Sequence, residues 1–120
     1  MQGGNFKDLK VWQKARVLAV NTYTATTNFP DDEKYGLRSQ LRRAIVSIPS
    51  NIAEGHRRGG TKEFIQFLKI ARGSLAESET QIILCKDLRY IEDSKADQLL
   101  LDIDEIGRML NALITALSRN

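Results

Sequence analysis

Four stretches of the chain repeat apolar residues at steps of three and four positions, which is the spacing of one face of an α-helix. The stretch around which the others are arranged is residues 40–55, with the sequence QLRRAIVSIPSNIAEG. Its apolar positions, counted from one turn earlier, are Leu37, Leu41, Ile45, Ile48 and Ile52. The pattern predicts a helix from Asp31 to about Glu54, which Gly55 ends in the left-handed conformation that glycine tolerates.

A proline, Pro49, lies inside this pattern. Proline removes one backbone donor and clashes with the carbonyl four residues earlier, at a cost of about 3 kcal/mol in a helix interior. Because the apolar spacing continues past it, we predict a single helix that is kinked at Pro49. The hydroxyls of Ser47 and Ser50 are expected to satisfy the freed backbone groups.

Three further amphipathic helices are predicted, joined by short loops. The first runs from an N-cap at Asp8 to the break at Pro30. The third runs from a cap at Thr61 to about Tyr90, and the fourth begins at Ser94. One side of each helix is expected to face the core. In the first helix these residues are Leu9, Trp12, Arg16, Ala19 and Tyr23, beside Ala15, Leu18 and Thr22. In the third helix they are Phe64, Leu68, Ala71, Leu75, Ser78, Ile82 and Cys85, and in the fourth Leu99, Ile103, Ile106, Leu110, Leu113 and Leu117. We predict an all-α fold, an antiparallel up-down-up-down four-helix bundle that forms one domain of residues 1–120, with residues 1–5 flexible.

A polar stripe accompanies the apolar one on the second helix and comprises Gln40, Arg43, Ser47, Asn51, Glu54 and Arg58. On the third helix, Arg72, Glu77 and Glu79 lie in the segment ARGSLAESETQ. Two interpretations stay open: a solvated helix surface, or pairing with the polar stripe within the bundle or across a subunit boundary. Gly73, in the middle of that helix, costs about 1 kcal/mol relative to alanine, which suggests close approach of another backbone.

Charge and cysteine content narrow the class of protein. The 120-residue chain has a net charge of +3, and residues 1–60 carry ten Lys/Arg against five Asp/Glu. A basic half can face nucleic acid, anionic lipid or the acidic half of a neighbouring subunit. No apolar run approaches the roughly 20 residues that span a bilayer. No signal peptide is evident and the single cysteine cannot form an internal disulfide, so we expect a cytoplasmic protein with no membrane partner.

The sequence argues against an enzyme. One histidine, His56, and one cysteine, Cys85, cannot supply the ligands of a di-iron bundle or a zinc site. We expect His56 to be a solvated loop residue and Cys85 a small core residue. The glycines of residues 55–60 lack the strand and the Lys-Ser/Thr pair of a phosphate-binding loop. We therefore predict no catalytic residue, metal, cofactor or small-molecule substrate.

Basic residues are the candidates for binding. The predicted nucleic-acid-binding residues are Arg38, Arg42, Arg43, Arg57, Arg58, Lys62, Lys69 and Arg72. Arginine forks suit phosphate oxygens, although an ordinary soluble surface has a similar composition. No recognition helix or RNA-binding aromatic signature is present, so any contact is expected to be electrostatic with weak sequence preference.

Three blocks of the sequence resemble a known family. FKDLKVWQKA at residues 6–15, YGLRSQLRRAIVSIPSNIAEG at residues 35–55 and EFIQFLKIARGSLAESETQ at residues 63–81 are similar to the "four helix bundle protein" family, also known as the 23S ribosomal RNA intervening-sequence protein family. The resemblance extends to about Leu117. It implies a left-handed antiparallel bundle that assembles as a homopentamer around a central channel. Some members are encoded inside insertions in large-subunit ribosomal RNA genes, and a relative of similar fold, the accessory variability determinant of diversity-generating retroelements, works with a reverse transcriptase and nucleic acid.

The resemblance carries no catalytic residues. The residues that match its motifs, to which we assign structural or subunit-interface roles, are Ser47, Pro49, Asn51, Glu54, Gly55, Arg72, Gly73, Glu77 and Glu79. We expect a non-enzymatic homo-oligomer that binds RNA or DNA, structured RNA above all, through a basic surface repeated by symmetry. The alternative is a protein–protein scaffold or adaptor whose arginines serve subunit or partner contacts.

Overall fold

The computed structural model describes residues 4–33 and 35–119, which form helices and loops without a strand. The four α-helices are α1, Lys10–Ala25; α2, Leu37–Arg57; α3, Thr61–Asp87; and α4, Asp93–Ser118. Two short 3-10 helices, Phe6–Asp8 and Asp31–Glu33, precede α1 and α2. The all-α prediction is confirmed. The part of the chain at residues 1–3 that was predicted to be flexible lies outside the described residues.

The apolar seams converge on one core, much as the spacing predicted. The whole predicted seam of α3 is buried, and in α2 all of it except the half-buried Leu37 is buried. In α4, Ile114 is buried where Leu113 was expected, and Leu113 is half-buried. The first helix differs, because its buried residues are Val11, Ala15, Leu18 and Thr22. The row Leu9, Trp12, Arg16, Ala19 and Tyr23, which was also expected to face the core, is half-buried or exposed.

Contacts between consecutive helices join the last turns of one to the first turns of the next. Gly55, near the end of α2, packs on Phe67 near the start of α3. Lys86, in the last turn of α3, pairs with Asp97 in the first turns of α4 at 2.7 Å. The described residues form a rod of 47 × 23 × 20 Å. A glycine packs on a ring where α2 meets α3, whereas an ion pair joins α3 to α4 at the opposite end.

The helix starts depart from the predicted caps. The second helix begins at Leu37 rather than Asp31, because the acidic segment forms its own 3-10 helix. A carboxylate oxygen of Glu33 nevertheless accepts the Leu37 N–H at 3.0 Å, so an acid does serve the positive end of this helix. Asp8, Thr61 and Ser94 are not caps: the N-cap positions are Leu9, Gly60 and Glu92, none of which makes a side-chain cap hydrogen bond.

The second helix is continuous through Pro49, as predicted. Its bend stays a prediction. The hydroxyl of Ser47, expected to serve backbone groups freed by the proline, instead bonds to the hydroxyl of Ser74 at 2.9 Å and accepts the Asn51 amide at 2.8 Å. The Asn51 amide also donates to the Ser47 carbonyl at 2.8 Å. Ser47 therefore joins α2 to α3 through Ser74, and Asn51 holds the Ser47 side chain from within α2.

Two glycines have the opposite roles to those predicted. Gly55 does not end α2, which continues to Arg57; the positive φ of 86° falls at Gly59. A Cβ on Gly55 would lie 2.4 Å from the Phe67 Cβ, so this glycine permits the close approach of α3. Apart from the adjoining turns of α3 itself, no described atom lies within 4 Å of a Cβ placed on Gly73, which is exposed. Residues 4–33 and 35–119 therefore show no close backbone approach of another helix at Gly73.

Candidate nucleic-acid interface

The eight predicted cations do not form one surface. Arg38 and Arg42 lie in the first turns of α2, whereas Arg57 is its last residue. At 1.5 Å of rise per residue, Arg38 and Arg57 are about 28 Å apart along the helix. Lys62 joins the end that holds Arg57, because α3 begins there. A single phosphate therefore cannot contact all eight residues within one chain.

Arg42 links the start of α2 to the end of α1. Its Nε donates to the Thr26 hydroxyl at 2.9 Å and its Nη2 donates to the Tyr23 carbonyl at 3.1 Å. The guanidinium carbon lies 4.4 Å from the centre of the Tyr23 ring. Arg42 thus satisfies carbonyl and hydroxyl groups at the end of α1, where a cation also suits the helix dipole. These contacts occupy part of the Arg42 guanidinium within the chain, and its role as a phosphate-binding residue stays a prediction.

Arg58 and Arg72 also have partners within the chain. Arg58 pairs with Glu54 at 2.7 Å and approaches Glu63 at 3.9 Å. Its pKa is raised, first by the hydrogen bond to Glu54 and then by the charge of the same carboxylate. Arg72 donates to the Asn111 amide oxygen at 3.0 Å, which joins α3 to α4. Both arginines are exposed, so their contacts occupy donors without burying charge.

The remaining predicted cations have no carboxylate within 4 Å among residues 4–33 and 35–119. They are Arg38, Arg43, Arg57, Lys62 and Lys69. All except the half-buried Arg38 are exposed. These five residues keep their full charge available to a partner outside the chain.

Arg57 belongs to a group of rings and cations that the candidate list missed. Its guanidinium carbon lies 5.4 Å from the centre of the Phe6 ring, and the Phe6 and Trp12 rings meet edge to face at 5.1 Å. Arg16 lies over Trp12 at 5.7 Å, and the Lys7 ammonium is 6.0 Å from Phe6. We name these five residues the arginine–aromatic surface. The alternation of rings and cations in FKDLKVWQKAR was the signal for it in the sequence.

The polar stripe of α2 meets α3 inside the same chain. Besides the bonds of Ser47 to Ser74 and Asn51, an open groove of about 450 Å³ runs between the two helices. Its lining residues are Gln40, Arg43, Ala44, Ser47, Ser74 and Glu77. Glu79 is exposed on the outside of α3. Among the described residues, none of Arg72, Glu77 and Glu79 pairs with the stripe: Arg72 bonds to Asn111 of α4, and Arg43 and Glu77 share the groove without an ion pair. The stripe reaches α3 through the Ser47–Ser74 bond, and pairing across a subunit boundary stays a prediction.

The prediction for His56, the single histidine of the chain, was wrong. It lies in the last turn of α2, is 6% exposed, and meets the Phe64 ring edge to face at 5.5 Å. Its Nε2 has no hydrogen-bond partner in the described part of the chain. The prediction of a solvated loop residue failed because α2 continues beyond Gly55 and turns the imidazole onto α3.

Cys85 is a buried core residue, as predicted. Burial, with a smaller effect from the charge of Glu33, raises the pKa of its thiol to about 12. Because the thiolate is the nucleophilic form, this thiol is unreactive near neutral pH. In residues 4–33 and 35–119, no three His, Cys, Asp or Glu side chains are grouped so that they could hold a metal ion.

Membrane-spanning character is also absent from the helices described. None of α1 to α4 combines the length and the apolar composition that a bilayer crossing requires.

Comparisons with known proteins agree with this architecture. The family model of the 23S rRNA-intervening sequence protein matches residues 7–112. A solved structure of similar fold is that of a protein of unknown function from the S23 ribosomal protein family of Bacteroides thetaiotaomicron, with 26% sequence identity and a TM-score of 0.78. The similarity covers 87% of this chain and 97% of that one. No curated protein matches the chain. Because the family match spans most of its 120 residues, the chain belongs to the 23S rRNA-intervening sequence protein family.

Proposed function

We propose that the protein is a non-enzymatic homo-oligomer that binds nucleic acid, with structured RNA as the preferred ligand. The observation that carries the proposal is the set of five predicted cations without a carboxylate partner in the described chain. The family description, which refers to 23S rRNA, supports RNA as the nucleic acid. Four of these cations are exposed, so a phosphate backbone can reach them without a change in the fold.

We propose that Arg57 and Lys62 form the main contact, since both lie where α2 ends and α3 begins. Lys69 extends the contact along α3, because it lies two turns beyond Lys62 on the same side of the helix. Arg38, at the other end of α2, and Arg43, in the groove, contribute at a distance. Each phosphate contact releases counterions, and repetition by symmetry multiplies the number of contacts.

A homopentamer is our proposal for the assembly. Support comes from α3, which exposes Ile70 and Leu84 on the side that also carries Gly73, and from Leu88, the exposed residue that directly follows α3. Apolar side chains beside an open glycine are suited to a close contact with another subunit. Light scattering on the 13.6 kDa chain is expected to give about five times that mass. Ile70→Glu should lower the mass, whereas Leu101→Glu, on the exposed side of α4, should not.

The remaining parts of the proposal concern topology and location. We propose an antiparallel up-down-up-down bundle of left-handed sense, supported by the contacts between the ends of consecutive helices. The non-enzymatic character is supported by the buried, weakly acidic Cys85. A cytoplasmic location, with no metal or cofactor, stays a prediction from the sequence.

The experiment is a salt titration of binding to a labelled RNA hairpin. Affinity is expected to fall steeply with salt, and Lys62→Ala should reduce the slope by about one unit because one phosphate contact is lost. Arg58→Ala, which removes a cation already paired with Glu54, is the control and should change the slope less. No RNA or DNA association at about 50 mM salt would refute the proposal.

A scaffold or adaptor for another protein is the second candidate. The exposed apolar residues of α3 favour it, because they could contact a partner protein instead of another subunit. It predicts that Ile70→Glu abolishes capture of the partner while the mass in light scattering stays unchanged.

A further inference from the structure

The arginine–aromatic surface is built as a rigid unit at the start of the chain. The Asn5 side chain accepts the Lys7 N–H at 3.0 Å, and the Gln13 side chain donates to the Lys7 carbonyl at 2.8 Å. These bonds fix the 3-10 helix against α1, and Trp12 packs on the core beneath it. The rings of Phe6 and Trp12 are therefore held in place before any ligand arrives.

The two arginines of this surface are exposed and keep all their hydrogen-bond donors. Neither Arg16 nor Arg57 has a carboxylate within 4 Å or a hydrogen bond to any described residue. Each guanidinium lies over an aromatic ring instead. The ring limits the motion of the cation and leaves its outer face and its N–H edge open to a ligand.

We propose that this surface stacks unpaired nucleobases on the guanidinium planes of Arg16 and Arg57, while Lys7 and the arginine N–H groups contact the adjoining phosphates. The inference rests on the proposed nucleic-acid binding and specifies its ligand as single-stranded or looped RNA. A guanidinium plane recognises the exposed face of a base and not the edge of a paired one. The segment of residues 6–16 also carries Lys7, Lys10 and Arg16 against one acid, besides Lys14, which pairs with Glu105 at 2.6 Å; this excess of cations suits a polyanion.

A duplex fits this surface less well. Its bases are already stacked on one another, so only its phosphates could reach Arg16 and Arg57. A single strand offers both phosphates and free base faces, and stacking of a base on a protein side chain strengthens binding with little sequence preference. The surface should therefore distinguish unpaired from paired RNA even though it reads no sequence.

The test uses the only tryptophan of the chain, Trp12, as the reporter. The probes are a mixed-sequence RNA 12-mer and the same strand annealed to its complement. Binding of the single strand is expected to quench Trp12 fluorescence and to be about tenfold tighter than binding of the duplex at equal salt. The whole protein is used in its native assembly.

Arg16→Lys and Arg57→Lys provide the decisive variants, since they keep the charge and remove the planar cation. The double variant should bind the 12-mer about tenfold more weakly, with an unchanged salt slope and unchanged duplex affinity. Arg108→Lys, the same exchange at an exposed arginine of α4 that pairs with Asp104 at 3.0 Å, is the matched control and should bind like the unchanged protein.

The outcomes separate the two proposals. RNA binding without Trp12 quenching, or with the double variant equal to the Arg108→Lys control, would overturn the stacking inference and leave the proposed nucleic-acid binding in place. Absence of binding to both probes at about 50 mM salt would overturn both.

Discussion

The two ends of α2 each hold an arginine against an aromatic ring, yet only one of these arginines is also hydrogen-bonded to described residues. Arg42 lies 4.4 Å from Tyr23, is half-buried, and donates to a carbonyl and a hydroxyl of α1. Arg57 lies 5.4 Å from Phe6, is exposed, and makes no hydrogen bond to a described residue. The ring contact is common to both, so the hydrogen-bond partners decide which arginine belongs to the fold and which is available to a ligand.

Other polar side chains near the two ends of α2 differ in the same way. At the end that holds Arg42, Tyr90 donates to Glu33 at 3.0 Å and Lys86 pairs with Asp97, so polar groups are used within the chain. At the other end, Arg58 pairs with Glu54, whereas Arg57 and Lys62 have no carboxylate within 4 Å among the described residues. The end that holds Arg57 therefore leaves two neighbouring exposed cations available to a ligand.

The largest expected effect concerns the packing that supports the exposed arginine. Gly55→Ala places a Cβ 2.4 Å from the Phe67 Cβ, so we expect the free energy of unfolding to fall by about 3 kcal/mol. The control is Gly73→Ala, where the space is open within the chain and alanine should stabilise α3 by up to about 1 kcal/mol. Urea denaturation measures both.

Equal stabilities for the two alanine variants would contradict the close approach at Gly55. Light scattering on Gly73→Ala adds a separate result, because lost association would mean that the backbone neighbour predicted at Gly73 belongs to another subunit. The pair thus distinguishes packing inside one bundle from packing between bundles.

The next effect compares the arginines directly. Arg42→Gln should lower the free energy of unfolding by about 1.5 kcal/mol, because the Tyr23 carbonyl and the Thr26 hydroxyl lose a charged donor. Arg57→Gln should change it by less than about 0.5 kcal/mol. If both variants lose the same stability by urea denaturation, the proposed division between the two ends is wrong.

The difference between the two arginines also marks what the sequence could predict. Apolar spacing of three and four located the seams of α2 and α3, since burial of one helix face depends on periodicity alone. It could not assign Gly55 and Gly73, because the spacing says which way a residue points and not how near the next helix lies. The same limit separates Arg42 from Arg57, whose partners come from residues far along the chain. His56 was misplaced because the end of α2 was predicted at Glu54, three residues before its last residue, Arg57.

The smallest expected effect is the change in stability with pH that the buried thiol of Cys85 causes, at the end of the bundle that holds Arg42. The folded-state pKa of Cys85, about 12, is above the ordinary value of 9.0, so this contribution to stability is complete below pH 9 and is lost as pH rises from 9 toward 12. Between pH 8 and pH 10 the unchanged protein should lose about 1 kcal/mol more unfolding free energy than Cys85→Ala, which has no thiol to ionise. Tyr90, whose pKa is also raised by its hydrogen bond to Glu33, adds a loss of the same sign, and it is common to both proteins. Parallel pH profiles of the two proteins would mean that the thiol ionises in the folded state, and the end that holds Arg42 would then be open to water.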